Sequence, residues 1–423
     1  MRHRRHKEEI LGRKVSVPEP YEIPIPDLKP IRAFKRANWR HERQAKKRCD
    51  ALLSAPPERV HERVMKHRPT YVSYPIVEEL LHRVRKAVFT DAGHAKRMAE
   101  LALFIADEMV PGKPHLGTPA MCHEAKARCY AHLGNCYRVL CRWEEAEQYL
   151  EKAKNLLWLG VGDPHVHAEV QSFRGSFFKE QRLFKEAIRV LTEAASIYQS
   201  LEDKHEEGLI LLNLAQVFRQ ARQPRKALPI HIRACELIDE YRDPIIGAAA
   251  WNELMRIYID QGHYEDAYSV LQGVSGVYEH CPPDSSVHLV RIWTEGCVLE
   301  GLGRYREALE YMEEAREGFW SRQRPYDSAL IQLDMLRILL KQGRLEEVER
   351  LGQEVYTSLS SQPLKREAKE ALQLLAEASV HRHLREQLIE EAATAIQTQL
   401  RLPKLVSPRG ATVAGAWDTF PEG

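Results

Sequence analysis

The stretch YAHLGNCYRVLCRWEEAEQYLEKA, Tyr130 to Ala153, carries two helical stripes and a phrase that returns down the chain. Tyr130, Leu133, Gly134 and Tyr137 stand at i, i+3, i+4 and i+7, one face of one helix. Ala146, Leu150 and Ala153 make the matching stripe of a second helix. Between the stripes lies CRWEEA, at 141–146.

That phrase recurs as RLFKEA (182–187), RQPRKA (222–227), GHYEDA (262–267), GRYREA (303–308) and GRLEEV (343–348). Its last residue is Ala146, Ala187, Ala227, Ala267, Ala308 and then Val348, so the successive gaps are 41, 40, 40, 41 and 40. Chance does not produce a period that regular over six units, and it is the strongest signal in the sequence. The paired stripes return with it. They run through Gly175, Phe178, Leu191 and Ala194, then Leu214, Phe218 and Ala234, then Trp251, Leu254, Tyr258 and Leu271, then Gly296, Met312 and Ala315. Small residues let two antiparallel helices approach closely, and aromatic residues fill the gap on the facing helix. Gly262, Gly303 and Gly343 fall at the turn, where a left-handed helix end needs no Cβ. One such hairpin cannot bury both its faces, so it requires neighbours.

The spacing W/Y-x2-L-G-x2-Y-x8-A-x3-F/L-x2-A resembles the tetratricopeptide repeat over roughly residues 127–367, and Tyr130–Ala153 fits it at every signature position. The period departs from the common 34 residues. The excess lies between one unit's last signature Ala and the next unit's first signature residue, which predicts helices longer by about a turn, ~5 Å each. Long repeats of this kind are similar to those of kinesin light chains and of bacterial regulators that sense peptides. The resemblance implies an all-α, right-handed α-solenoid of six or seven hairpins. It implies that the first helix of each hairpin lines a concave groove. The inward repeat positions are then Arg128, Asn135, Arg138, Lys179, Gln216, Arg219, Asn252, Arg256, Trp293, Arg337 and Lys341, with Glu169, Glu180, Asp260 and Glu300 as acidic members. Asn side chains can clamp an extended peptide backbone, and Arg can grip a carboxylate through two parallel bonds.

Around the array, residues 51–120 are expected to hold N-terminal helices with a degenerate leading unit, in which Ala95, Ala99 and Ala102 repeat the second-helix spacing. Residues 121–367 are the array, 368–401 make capping helices, and 402–423 form a disordered tail. The 111–119 segment reads as a longer loop, and 1–30 as extended and Pro-rich.

Charge is uneven. Residues 1–50 hold 15 Lys/Arg against 7 Asp/Glu, +8, and the remainder is −6. The basic arm sets Arg32, Lys35, Arg36, Arg40, Lys46, Lys47 and Arg48 around Trp39, a composition suited to phosphates and a stacked base, or to a solvated helix docked through its Trp. The N-terminus lacks the apolar stretch of a secretory signal, and no run of 18 apolar residues appears. The eight cysteines show no compact framework, which fits a reducing cytoplasm.

Catalytic motifs are not legible. Cys129, His132 and Cys136 share a helix face, with Cys122 two turns back, but free Cys at these positions reads as a small buried hydrophobe. His61-Glu62 with His67 lacks the zincin spacing, and WLGVGDP (158–164) reads as a plain inter-repeat turn. No metal and no cofactor is expected. The functional expectation is a non-enzymatic scaffold of a bacterial cytoplasm, binding a peptide or protein partner in its groove and not touching membrane. The alternatives are a ligand-sensing regulator whose basic arm contacts nucleic acid, and an accessory subunit of an enzyme complex.

Overall fold

The structure is a computed structural model. It describes residues 39–88, 91–110, 118–140, 142–221, 223–322, 324–360, 372–373, 375–376 and 385–400. Among these residues the regular structure is entirely helical. Helices α1 (Trp39–Leu53), α2 (Pro57–Lys66) and the single turn α3 (Arg68–Tyr71) come first. Then follow the pairs α4 (Tyr74–Ala87) and α5 (Ala92–Asp107), α6 (Pro119–Val139) and α7 (Trp143–Leu157), and α8 (Pro164–Glu180) and α9 (Phe184–Ser200). The C-terminal part continues with α10 (Lys204–Gln220), α11 (Pro224–Leu237), α12 (Pro244–Asp260), α13 (Tyr264–Gly273), α14 (Val287–Gly301), α15 (Tyr305–Ser321), α16 (Pro325–Lys341), α17 (Leu345–Ser360) and α18 (Glu386–Leu400). The architecture is an all-α solenoid of helical hairpins. The chain divides into two compact units after Ala221, so α10 closes the N-terminal unit and α11 opens the C-terminal one.

Local chemistry explains where the helices start and stop. Pro occupies the first turn of α6, α8, α12 and α16, where its missing N–H is no loss. Thr118, Asp163 and Asp203 cap α6, α8 and α10 by accepting from the backbone N–H of Met121, His165 and Glu206. At the hairpin turns Gly262, Gly303 and Gly343 take φ of +74°, +76° and +69°, as their position in the repeat predicts. In the second unit of the repeat the same left-handed turn is made by Arg182, φ 58°. Helices α8, α9, α10 and α12 have 17 residues each, about 25 Å.

The signature small residues sit where the helices touch. Ala146, Ala187, Ala227, Ala267 and Ala308 are fully buried, and Val348 takes the sixth place at 2% exposure. A Cβ on Gly175 would lie 2.5 Å from Leu191 Cγ on the facing helix, so the hairpin admits nothing larger there. One hairpin departs from the regular plan. Helix α13 stops at Gly273 and runs on as a 3₁₀ segment, Ser275–His280, whose Val277 and Tyr278 are buried. The Gly-x-x-Gly of QGVSG interrupts the helix, while the apolar stripe still faces the core.

Within each unit, successive first helices pack on one another: α4 on α6, α6 on α8, α8 on α10, and separately α12 on α14 and α14 on α16. Second helices pack within their hairpin and on the following first helix, not substantially on each other. A stack whose first helices touch while its second helices splay is curved, with the first helices on the inner side. At the C-terminal end α18 packs on α16 and buries Ile389, Ala392 and Ile396, shielding the last apolar face. Most of the first of the two expected capping helices lies outside the described residues. So do the 111–117 part of the expected loop, the Pro-rich 1–30 segment and the tail.

Candidate functional site on the inner helix face

In the N-terminal unit the inner face centres on Glu169 of α8, 5% exposed. It accepts hydrogen bonds from three side chains: Arg85 Nη2 of α4 at 2.7 Å, Arg128 Nε of α6 at 2.8 Å, and His132 Nε2 of α6 at 3.1 Å. Arg128 also pairs with Glu78 of α4 through Nη1. Burial pushes the Glu169 carboxyl up, and Arg128, His132 and Arg85 together outweigh it, holding the group well below the usual carboxylate range. Burial lowers His132 in spite of Glu169, so the ring is neutral at neutral pH and donates through Nε2. Further along the face, Arg138 pairs with Glu180 through Nη1 and donates from Nε to Asn135 Oδ1 at 3.0 Å. Lys179, 5% exposed, donates from Nζ to Asn213 Oδ1 at 2.8 Å and to Gln216 Oε1 at 2.9 Å.

The C-terminal unit carries a second ladder. The Arg256 guanidinium lies 5.2 Å from the Trp293 ring centroid, a cation–π contact. Trp293 Nε1 donates to Asp334 Oδ2 at 2.8 Å. Arg337 grips Glu300 with two parallel bonds, 3.1 and 2.9 Å, and reaches Asp334 Oδ1 at 3.1 Å. Lys341 Nζ adds a third contact to Glu300 at 3.2 Å. Burial raises Glu300, and Arg337 and Lys341 more than reverse it. Asn252 is wholly inside the protein, its Oδ1 accepting from the Tyr278 hydroxyl at 2.5 Å.

The expected groove residues are therefore brought together in sets. Arg138 is joined to Asn135, Lys179 to Gln216, and Arg256 to Trp293. Arg128 and Arg337 are each joined to a carboxylate of the adjoining repeat. Arg219 is half-buried on α10. Sequence separations of 41 (Arg128–Glu169), 42 (Arg138–Glu180), 41 (Trp293–Asp334) and 37 (Glu300–Arg337) show the rule: these are contacts between places in successive repeats that are equivalent to within about a helical turn. Arg85, Asn213, Glu206 and Asp334 were not picked out from sequence. A donor and an acceptor one period apart on first helices is the signal that finds Asp334, from Trp293. Arg85 has no such signal, because its partners are 84 and 121 residues away.

The other candidates fall elsewhere. Cys122 and Cys129 pack in the apolar core beside Cys49, and Cys136 packs with Leu133, Tyr137 and Leu150. Burial pushes the Cys136 thiol up to about 12 and that of Cys129 higher still, so both are inert thiols. Among the described residues no group of three or more His, Cys, Asp or Glu could hold a metal, and no helix is long and apolar enough to cross a membrane. His61 sits on α2 with its ring edge against Phe104, centroids 4.4 Å apart. Of the basic arm, Arg32, Lys35 and Arg36 lie outside the described residues, and only the backbone of Trp39 and Arg40 is described, at the start of α1. Beyond them α1 buries Ala45, Cys49 and Leu52, exposes Arg43, Lys46 and Lys47, and holds Arg48 half-buried.

No protein-family model matches the chain, and no curated protein matches it. Solved structures do. A signal transduction ATPase with a tetratricopeptide repeat sensor, from Pyrococcus horikoshii, matches with a TM-score of 0.55 at 15% identity, over 85% of this chain and 52% of that one. The chain thus spans about half the length of that protein. The apo form of RapI matches with a TM-score of 0.53 at 14% identity, over 86% of this chain and 99% of that one. The apo quorum sensor NprR from B. thuringiensis gives 0.49 at 13% identity, covering 82% and 99%. The fold is a tetratricopeptide-type solenoid. At these identities the likeness is one of fold.

Proposed function

We propose that the protein is a non-enzymatic binding scaffold whose inner first-helix face holds an extended peptide or a segment of a protein partner. One observation carries this reading: the inner face is polar in both units, and its side chains form ordered cross-repeat sets in place of apolar packing. A helix face buried only for stability is lined by apolar residues, as the second-helix contacts here are. Paired Arg, Glu, Asn and Gln groups are able to exchange partners with the amides and charges of an extended chain. The Pyrococcus protein of this fold is named for a repeat sensor, which agrees with a binding role.

The test is selection of peptides from a random display library by the purified protein, followed by titration of the enriched peptides. Arg219→Glu combined with Arg256→Glu should weaken their binding at least tenfold with helix content unchanged. Binding unaffected by that pair rejects the groove. The regulatory reading has its own support, since α1 turns Arg43, Lys46 and Lys47 to solvent opposite its buried stripe. A labelled DNA duplex in the same titration separates the two. Duplex binding that falls steeply with salt and survives the Arg219/Arg256 pair would assign the basic arm to nucleic acid.

A further inference from the structure

Nearly every bond on the inner face joins neighbouring repeats, but Arg85 does not. From the last turn of α4 its Nη2 reaches Glu169 Oε1 on α8 at 2.7 Å, and its Nη1 reaches Glu206 Oε1 on α10 at 3.3 Å. Those helices belong to the second and third hairpins beyond its own. The backbone of α4 packs on α1, α5 and α6, and makes no comparable contact with α8 or α10. One guanidinium therefore bridges first helices that are otherwise separated, and it does so across the inside of the curve.

The bridge is built so that it can open. The Arg85 side chain is 46% exposed, while Glu169 is 5% and Glu206 13% exposed, so the arginine is the member that solvent or a ligand reaches. When Arg85 leaves, Glu169 keeps Arg128 and His132, so the more deeply buried of the two carboxylates is not stranded. The rest of the Glu169 cluster ties α4 to α6 and α6 to α8, which are packed against each other anyway. Only Arg85 adds a restraint that backbone packing does not already supply.

We propose that Arg85 is an electrostatic latch that holds the inner curve of the N-terminal unit closed and gates access to its inner face. Breaking it relaxes the curve between α4 and α10 without unfolding either helix. The gating half rests on the peptide-binding reading above; the latch itself does not.

Lys86, next to Arg85, and Lys204, two residues before Glu206, are both exposed, which allows a test on the native chain. A short amine-reactive cross-linker should join Lys86 to Lys204 in the wild-type protein. Arg85→Gln should lower the yield of that cross-link several-fold and raise amide exchange at the start of α10, with helix content unchanged. Arg85→Lys should restore part of the yield, which a purely steric role for the long side chain would also predict. Glu206→Gln separates the two, since it keeps every side-chain length and should also lower the yield. An unchanged cross-link and unchanged exchange in both Arg85→Gln and Glu206→Gln overturn the latch. Peptides enriched by the wild-type protein should bind Arg85→Gln more tightly. Equal affinity beside a lost cross-link overturns the gating half. A failure to enrich any peptide speaks against the binding reading and leaves the cross-link result to stand.

Discussion

The two units build their inner faces from the same repeat and use charge differently. In the C-terminal unit Glu300 takes Arg337 and Lys341 from the adjoining first helix, and both cations are partly in water, 27% and 44% exposed. In the N-terminal unit Glu169 is sunk among Arg85, Arg128 and His132, drawn from two other first helices, with Arg128 only 16% exposed. Removing the carboxylate in the first case leaves cations that water can hydrate. In the second it leaves Arg128, 16% exposed, with Glu78 as its remaining carboxylate, while Arg85, 46% exposed, keeps Glu206 and water. A carboxylate at the inner curve is thus a modest ornament on one unit and a keystone of the other, and the two sit at different heights, Glu169 near the start of its first helix and Glu300 at the end of its own.

That contrast can be broken most directly by deletion of each carboxylate. Glu169→Ala should cost about 3 kcal/mol, the low end of the range for breaking a buried ion pair, because Arg128 is mostly buried but keeps Glu78. Glu300→Ala should cost about 1 kcal/mol, because its cations are near solvent. Urea unfolding of the full chain, with exchange mass spectrometry to assign each transition to its unit, reads both values. Equal costs would dissolve the distinction.

A second buried carboxylate sharpens it through pH. Glu124 of α6 is 3% exposed, accepts from the backbone N–H of Asp163 at 3.1 Å, and is pushed by burial from 4.5 up to about 7. Its folded value is raised, so its ionisation destabilises the fold as pH climbs from about 4.5 to 7. Glu169 is depressed, so its contribution is present above its ordinary 4.5 and is lost as pH falls below that. The N-terminal unit is therefore opposed from both sides. Glu124→Gln should remove about 2–3 kcal/mol of the loss on raising pH through that window and leave the acid limb in place. The C-terminal unit should not respond. Identical stability profiles for wild type and variant between pH 5 and about 7.5 would contradict the buried-acid assignment.

The smallest effect concerns turns. The C-terminal unit makes its left-handed turns with Gly262, Gly303 and Gly343, and the N-terminal unit makes one with Arg182. Arg182→Gly should raise the stability of the N-terminal unit by about 0.5–1 kcal/mol, since relief of the Cβ clash exceeds the added freedom of the unfolded chain. A lower melting temperature would show that contacts of the arginine outweigh its strain.

Much of this architecture is legible in the residues. The six copies of the phrase, five ending in Ala and one in Val, place the helix contacts, because a small side chain fits best where two helices meet at a fixed point in each repeat. Gly at 262, 303 and 343 announces a backbone conformation that other residues take reluctantly. The Pro and Asp residues ahead of first helices mark their starts. The arm and the tail were legible only as composition.

The inner face was legible in part. A one-repeat offset, such as Arg128 to Glu169, follows from periodicity once the period is known, because stacking equivalent helices brings equivalent positions together. The chemistry of each set was harder to read, since Arg and Asn on a first helix look alike whether they face an open groove or a neighbouring carboxylate. Arg85 marks the limit. Its meeting with Glu169 and Glu206 depends on how far successive hairpins rotate, a quantity summed over several interfaces and written in no single one of them. The sequence by itself determined the repeat, the helices and the turns, because each depends on contacts within about one period. The curvature, and with it every charge pairing that skips a repeat, such as Arg85 with Glu169 and Glu206, was decided only by tertiary packing.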